Sequence, residues 1–225
     1  LSANVVLGGE HTFASPAAEG QIIYSADDVD EDGYGDWIDV VPDSVPPNPS
    51  AAPFIVRGLA KSDGIHYWAA GLFAQESNFS WGLARSTNMG ESWAIYQNYD
   101  TPPPSVDYFG IHFVDASNGW AVGANGTVIH TVDGGDNWVQ QTTPAAVSAI
   151  ALRAVSFANT MHGYAVGDGG TILATTDGGS TWVSQTSGVT QDLLAVSFNA
   201  ANQGLISGNQ GVILITNSVA KQATQ

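Results

Sequence analysis

An eight-residue pattern occurs three times in this chain: Ser86-x-Asn88-x-Gly90-x-Ser92-Trp93, Thr131-x-Asp133-x-Gly135-x-Asn137-Trp138 and Thr175-x-Asp177-x-Gly179-x-Thr181-Trp182. Its tryptophans recur at roughly 45 residues, a period that belongs to solenoids and propellers, so the chain repeats one supersecondary unit. That single fact constrains the fold more than any other feature.

The two best copies align throughout. Phe113 to Gly123 and Gly126 to Thr131 match Phe157 to Gly167 and Gly170 to Thr175, and a third copy runs through Leu193 to Phe198, Gly204 to Gly208 and Gly211 to Thr216. Each consists of short β-branched or aromatic runs separated by Gly, Asn and Asp clusters, the signature of strands and tight hairpins. No window shows a sustained helical period. Phe54 to Arg57, His66 to Gly71 and Phe79 to Arg85 lead into the first clear pattern in the same strand order. Asn4 to Leu7, His11 to Ser15, Gln21 to Ser25 and Trp37 to Val41 continue it to the N-terminus.

Four strands per unit predict an all-β fold, a β-propeller of about five four-stranded blades in which each sheet buries both faces against its neighbours. Residues 1–225 then form a single domain, with blades near 1–48, 49–104, 105–146, 147–190 and 191–225. The proline-rich stretches 41–53 and 101–104 read as lengthened connections, because the repeat resumes after each. The last unit has no recognisable pattern after Thr216, so closure is expected to use the tail from Val219 or a strand near Asn4 to Leu7.

The pattern matches the Asp box, Ser/Thr-x-Asp-x-Gly-x-Thr-Trp. With the phrase Gly-Trp/Tyr-Ala-Val-Gly and the following Gly-Thr-Ile/Val, the chain resembles the BNR-like repeats of the photosystem II assembly/stability factor family, seven-bladed propellers with relatives in exported bacterial proteins. The resemblance implies a protein-binding accessory role on a membrane complex such as a photosynthetic reaction centre. This chain departs from it in showing five units and in having only three arginines, Arg57, Arg85 and Arg153. Arg85 and Arg153 read as framework residues of the repeat. The boxes themselves read as turns: the carboxylate and hydroxyl bond the hairpin backbone, Gly permits a positive φ, and Trp fills the space between sheets.

Asp and Glu number 21 against five Lys and Arg, a formal net charge of -16. That field repels nucleic acid and anionic lipid, leaving cations, basic proteins and neutral glycans as partners. Cysteine is absent, which removes disulfides and thiolate metal sites. No apolar run reaches membrane-spanning length, so no membrane insertion is expected. The chain starts at Leu1, as a processed product would, and periplasmic or extracellular, cell-surface residence is expected.

Between the strands at Gln21 to Ser25 and at Trp37, oxygen donors are dense. Counting Asp28 as the first position, Asp28, Asp30, Asp32, Asp36 and Asp39 fall at 1, 3, 5, 9 and 12, with Gly33 at the sharp turn and the Tyr34 carbonyl at 7. This is the spacing of an EF-hand-type loop and predicts a structural Ca2+ site, since no nearby Lys or Arg relieves the repulsion of these carboxylates. Asp39 in place of Glu at the last position predicts weaker binding than in a sensor.

Asp boxes also occur in glycoside hydrolases, and sialidases among them need an arginine triad, all that this chain has in total. The expectation is therefore a non-enzymatic, protein-binding accessory subunit. A carbohydrate-binding module is the alternative, and a glycoside hydrolase comes third. His11, His66, His112, His130 and His162 have no metal-ligand spacing and read as strand or turn residues. Tyr67, Trp68, Phe79, Trp81, Trp93, Tyr96 and Tyr99 crowd the second unit, mostly as blade packing, with any exposed member a stacking surface for a sugar or a protein partner.

Overall fold

A computed structural model of the chain describes residues 22–25, 37–40, 55–75, 78–90, 92–96, 106–199 and 203–216. Residues 22–25, 37–40, 55, 72–75 and 78–81 are described by their backbone alone. Five antiparallel sheets follow one another along these residues, and no α-helix occurs among them.

The first sheet is the hairpin β1 (Ile22–Ser25) and β2 (Trp37–Val40), with Ser25 opposite Trp37. The second contains β3 (Ile55–Lys61), β4 (Tyr67–Gln75), β5 (Asn78–Ser86) and β6 (Ala94–Ile95). The third contains β7 (Tyr108–Phe113), β8 (Gly119–Gly123), β9 (Val128–Thr131) and β10 (Val139–Gln140). The fourth contains β11 (Leu152–Phe157), β12 (Gly163–Gly167), β13 (Thr171–Thr175) and β14 (Val183–Gln185). The last is β15 (Leu193–Phe198), β16 (Gly204–Gly208) and β17 (Ile213–Ile215).

Strands of each sheet pair in sequence order, and the first strands of successive sheets, β3, β7, β11 and β15, lie against one another. That radial stacking is the β-propeller expected from the repeat. First strands form the inner wall, and the short fourth strands stand outermost.

The core lies between sheets. Trp68 and Leu83 of the second sheet meet Tyr108, Ile111, Phe113 and Trp138 of the third. Trp120, Val122 and Val128 of the third meet Val155, Phe157, Leu173 and Trp182 of the fourth. One seat repeats at the three interfaces between the second and the last of the described sheets: the phenylalanine ending a first strand lies on the second-strand aromatic of the preceding sheet. Phe113 stacks on Trp68 at 6.0 Å, Phe157 on Trp120 at 3.6 Å, and Phe198 meets Tyr164 edge-on at 4.6 Å.

The rim that carries the first and third hairpins of each sheet turns on polar side chains. After the first strands, Asp63, Asp115 and Asn159 each accept two backbone N–H bonds, as Asp63 Oδ1 does from Ile65 at 2.9 Å and His66 at 2.7 Å. The backbone bond from Ile65, then those from the His66 ring and backbone, hold the Asp63 carboxyl down at about 2. Asp177 is lowered by the Thr181 hydroxyl, then by the Thr181 backbone and Thr175.

A carboxylate whose folded pKa lies below its unfolded one contributes stability that is complete above the unfolded value and lost as pH falls through the folded one. For Asp63 the window runs from its ordinary 3.8 down to about 2. The Asp63→Asn, Asp177→Asn double variant should accordingly lose the steep part of the melting-midpoint profile below about pH 4. A slope equal to that of the wild type would contradict these assignments.

Candidate functional site

The three boxes close on themselves. Thr131 Oγ1 donates to Asp133 Oδ1 at 2.8 Å and accepts from Gly135 N at 2.8 Å, while Asn137 donates its backbone N–H to Asp133 Oδ1 at 2.8 Å and its amide to Oδ2 at 2.7 Å. Thr175, Asp177, Gly179 and Thr181 repeat this network, and Ser86, Asn88, Gly90 and Ser92 do so with the last bond reversed, Asn88 Nδ2 donating to Ser92 Oγ at 2.9 Å. These bonds build the turn, as expected for structural residues, and the boxes lie apart on separate sheets.

The opposite rim brings chemistry together. Each inner strand carries a register shift with one extra residue: Arg57 in β3, Phe109 in β7, Arg153 in β11 and Leu194 in β15. Such bulges bend a strand and re-aim a side chain. A Gly or Ala always follows, because the neighbouring inner strand approaches closely there. A Cβ on Gly110 would come within 3.0 Å of Ala154 Cα, and one on Gly58 within 3.0 Å of the Phe109 carbonyl.

Around the bulges two guanidiniums converge on one ring. The Arg153 guanidinium lies 4.4 Å and that of Arg57 4.9 Å from the centre of the Phe109 ring. Each such cation–π contact is worth about 0.5–2 kcal/mol, depending on desolvation. Arg153 also donates to both oxygens of Asp168, at 2.6 and 2.8 Å, and these bonds, against the cost of burial, hold it further toward its charged form. Arg57 Nε stands 3.9 Å from Asp107 Oδ1. Burial raises the Asp107 carboxyl, opposed by Arg57 and Arg153. Asp192 completes the arc, accepting from Gly169 N at 2.9 Å and from Asn209 at 3.2 Å.

These side chains remain about one-third exposed on the inner wall, Arg57 at 33% and Arg153 at 31%. Each guanidinium has a carboxylate beside it, so the site is ill-suited to a lone small anion. An aromatic ring flanked by alternating charges instead suits a polypeptide, whose amides and side chains exchange with several of these groups at once.

Of the three arginines, Arg85 is a framework residue as expected, bound to Asp136 of the next sheet at 2.7 Å and lying over Trp68. Arg153 does more than frame the repeat, since its bulge carries it into the cluster. Sequence reasoning missed Phe109 and Asp168. The recurring Gly58, Gly110, Ala154 and Ala195, each one residue past a bulge, was the signal that could have found them.

His66, His112, His130 and His162 lie in strands or turns, His130 stacked on Trp120 at 4.3 Å. His11 lies outside the described residues. In the second unit Trp68 and Trp93 are buried in packing, whereas the side chains of Phe79 and Trp81, and all of Tyr99, lie outside the described residues. Of the expected calcium ligands, Asp28, Asp30, Asp32, Tyr34 and Asp36 lie outside the described residues as well. Only the backbone of Asp39 is placed, in β2 opposite Ile23. Among the described residues no group of three or more His, Cys, Asp or Glu is arranged to hold a metal.

A family model described as Photosynthesis system II assembly factor YCF48 matches residues 86–182 and 147–225. No curated protein matches the sequence. Among solved structures, a YCF48 bound to D1 peptide superposes with a TM-score of 0.57 at 16% identity, covering 73% of this chain and 50% of that one. YCF48 from Cyanidioschyzon merolae gives 0.59 at 17%, covering 83% and 62%. The GH74 xyloglucanase from Xanthomonas campestris gives 0.52 at 14%, covering 72% of this chain and 28% of the enzyme. At these identities the likeness is one of fold, and the chain spans between half and two thirds of the length of the two YCF48 structures.

Proposed function

The chain belongs to the Photosynthesis system II assembly factor YCF48 family, and from that premise we propose that it is a non-enzymatic accessory protein that binds a polypeptide of a partner at the inner-wall cluster of Arg57, Phe109 and Arg153. The observation that carries the reading is the double cation–π contact on Phe109, ringed by Asp107, Asp168 and Asp192. That a family structure is described as bound to a D1 peptide supports a peptide as the ligand class. A membrane protein complex, met on its extracytoplasmic side by an exported single propeller of about five blades, is the partner this reading favours.

Non-enzymatic action is supported by where five of the carboxylates among the described residues are spent. Asp63 holds a turn, Asp133 and Asp177 hold boxes, Asp136 binds Arg85 and Asp168 binds Arg153. A glycosidase needs two carboxyl groups poised across a cleft, about 5–10 Å apart.

Affinity capture from detergent-solubilised membranes of the native source tests the proposal. The wild type should retain a protein partner, and Phe109→Ala or Arg153→Gln should weaken capture about tenfold, a loss of about 1.4 kcal/mol, with melting midpoints recorded for each variant. Equal capture by the folded variants, or binding confined to a glycan array, would overturn it.

Calcium belongs to the same proposal, with the sequence spacing of Asp28, Asp30, Asp32, Tyr34, Asp36 and Asp39 as its support. The β1–β2 register adds that the two ends of this segment meet at Ser25 and Trp37. An ion that binds only the folded chain at a hundredfold excess over its Kd adds about 2.7 kcal/mol. The melting midpoint should therefore rise with Ca2+, and the Asp30→Ala, Asp32→Ala double variant should abolish the rise. Indifference of the wild type to millimolar calcium and to chelator would return the segment to a solvated acidic turn.

A further inference from the structure

The inner strands β7 and β11 carry Phe109 and Arg153 of the docking cluster, and a titratable side chain ties the same two strands together. The Phe157 backbone N–H, at the end of β11, donates to His112 Nδ1, near the end of β7, at 3.4 Å. A ring nitrogen that accepts is unprotonated, so this bond holds His112 neutral with its proton on Nε2. In the next interface the same bond runs from the Phe198 N–H to Ser156 Oγ at 3.0 Å. In the preceding interface the position belongs to Ala60, which stands opposite Trp68 in register as His112 stands opposite Trp120. Of these three interfaces, the one between Phe109 and Arg153 alone uses an acceptor that gains a proton near neutral pH.

Protonation at Nδ1 turns the acceptor into a donor that faces the Phe157 N–H, so the bond is lost and a cation is left beside the Trp120–Phe157 stack. Little on the fourth sheet offsets that charge. Arg153 and Asp168 bind each other, Asp177 is held by Thr175 and Thr181, His162 is joined to Asn159, and Tyr164 turns to Phe198 of the last sheet. On the third sheet, His130 lies on Trp120 from β9, and a proton there leaves a cation against the indole, a favourable contact. Asp107 stands beside Arg57 at the cluster itself. Between the cluster and His112 the two strands touch directly, at Gly110 and Ala154, so a change of spacing at one end reaches the other.

We propose that His112 makes the inner-wall cluster pH-sensitive: when its ring gains a proton the contact between β7 and β11 loosens, Arg153 withdraws from the Phe109 ring, and a bound polypeptide is released. Burial holds His112 below the ordinary 6.5 of a histidine. The neutral, bonded form therefore prevails above that value, and the stability it contributes is lost as pH falls through the folded pKa. The release rests on the reading of the cluster as a polypeptide site, whereas the loosening does not.

Amide and fluorine NMR of the whole chain, titrated from about pH 8 to about pH 5, test the loosening. In the wild type the Phe157 amide proton should move upfield with the His112 titration, while the Phe198 amide, bonded to Ser156, should not follow it. With para-fluorophenylalanine at position 109, the fluorine resonance should shift at the same midpoint as Arg153 leaves the ring. His112→Ser, which copies the next interface, should abolish that component, and any titration of Asp107 should persist in it. These measurements need no partner, so they decide the loosening apart from the polypeptide reading. Affinity capture from detergent-solubilised membranes decides the release: the wild type should hold its partner at least about fivefold less well at the acid end, and His112→Ser equally at both ends. A Phe157 amide indifferent to the His112 titration would overturn the proposal, as would a fluorine profile or a pH-dependent capture that His112→Ser leaves unchanged. Capture absent at both ends would overturn the polypeptide reading and the release with it, while the NMR result for the loosening would stand.

Discussion

Replacing Trp120 by alanine is expected to destabilise the propeller by about 3–5 kcal/mol, the range for large aromatic truncations in a packed core. Trp120 is 0% exposed, stacks on Phe157 at 3.6 Å and His130 at 4.3 Å, and donates its Nε1–H to the Gly178 carbonyl at 3.1 Å. Alanine would open a cavity between two sheets and remove a hydrogen bond from the third sheet to the box of the fourth. Against a typical domain stability of about 5–15 kcal/mol, that is a large share. Chemical denaturation monitored by fluorescence checks it, with Trp120→Phe retaining the stack and losing much less. A Trp120→Ala loss under about 1 kcal/mol would mean that the interface does not hold the third and fourth sheets together.

Gly135→Ala should cost about 2–5 kcal/mol, combining left-handed backbone strain with overpacking. Gly135 has φ +92°, and an added Cβ would fall on the six-membered ring of Trp68 in the preceding sheet. Gly169 supplies the control. Its φ is +62°, but a Cβ there meets nothing within 4 Å, so Gly169→Ala should cost only about 1 kcal/mol for the backbone. Equal losses at the two positions would show that the box glycine is required for its φ alone, and that the close approach of Trp68 does not matter.

Trp93, Trp138 and Trp182 make the stacking legible in the sequence, because each must fill a gap between sheets and each recurs with its turn. The strands are legible too, since β-branched runs bounded by Gly and Asn have few alternatives. What stays hidden is the meeting of Arg57, Phe109 and Arg153, which are nearly a hundred residues apart from first to last. Their encounter depends on the bulge that re-aims each side chain and on the ring that brings successive inner strands together, and neither is a property of local sequence. Arg153 reads as a framework residue because a strand-initial arginine has no local partner, whereas Asp168 arrives from the turn after β12. The Asp28 to Asp39 segment is the most explicit reading of the sequence. It bears on residues that, apart from the backbone of Asp39, the structure does not describe.

Hydrogen exchange on the wild-type chain, free and with its captured partner, tests the proposed docking site most directly. The inner-wall reading predicts new protection at 106–110, 150–154 and 168–170, where Asp107, Phe109, Arg153 and Asp168 lie, with the boxes at 131–138 and 175–182 unchanged. Protection confined to the box rim, with those inner-wall segments exchanging as in the free chain, would contradict it.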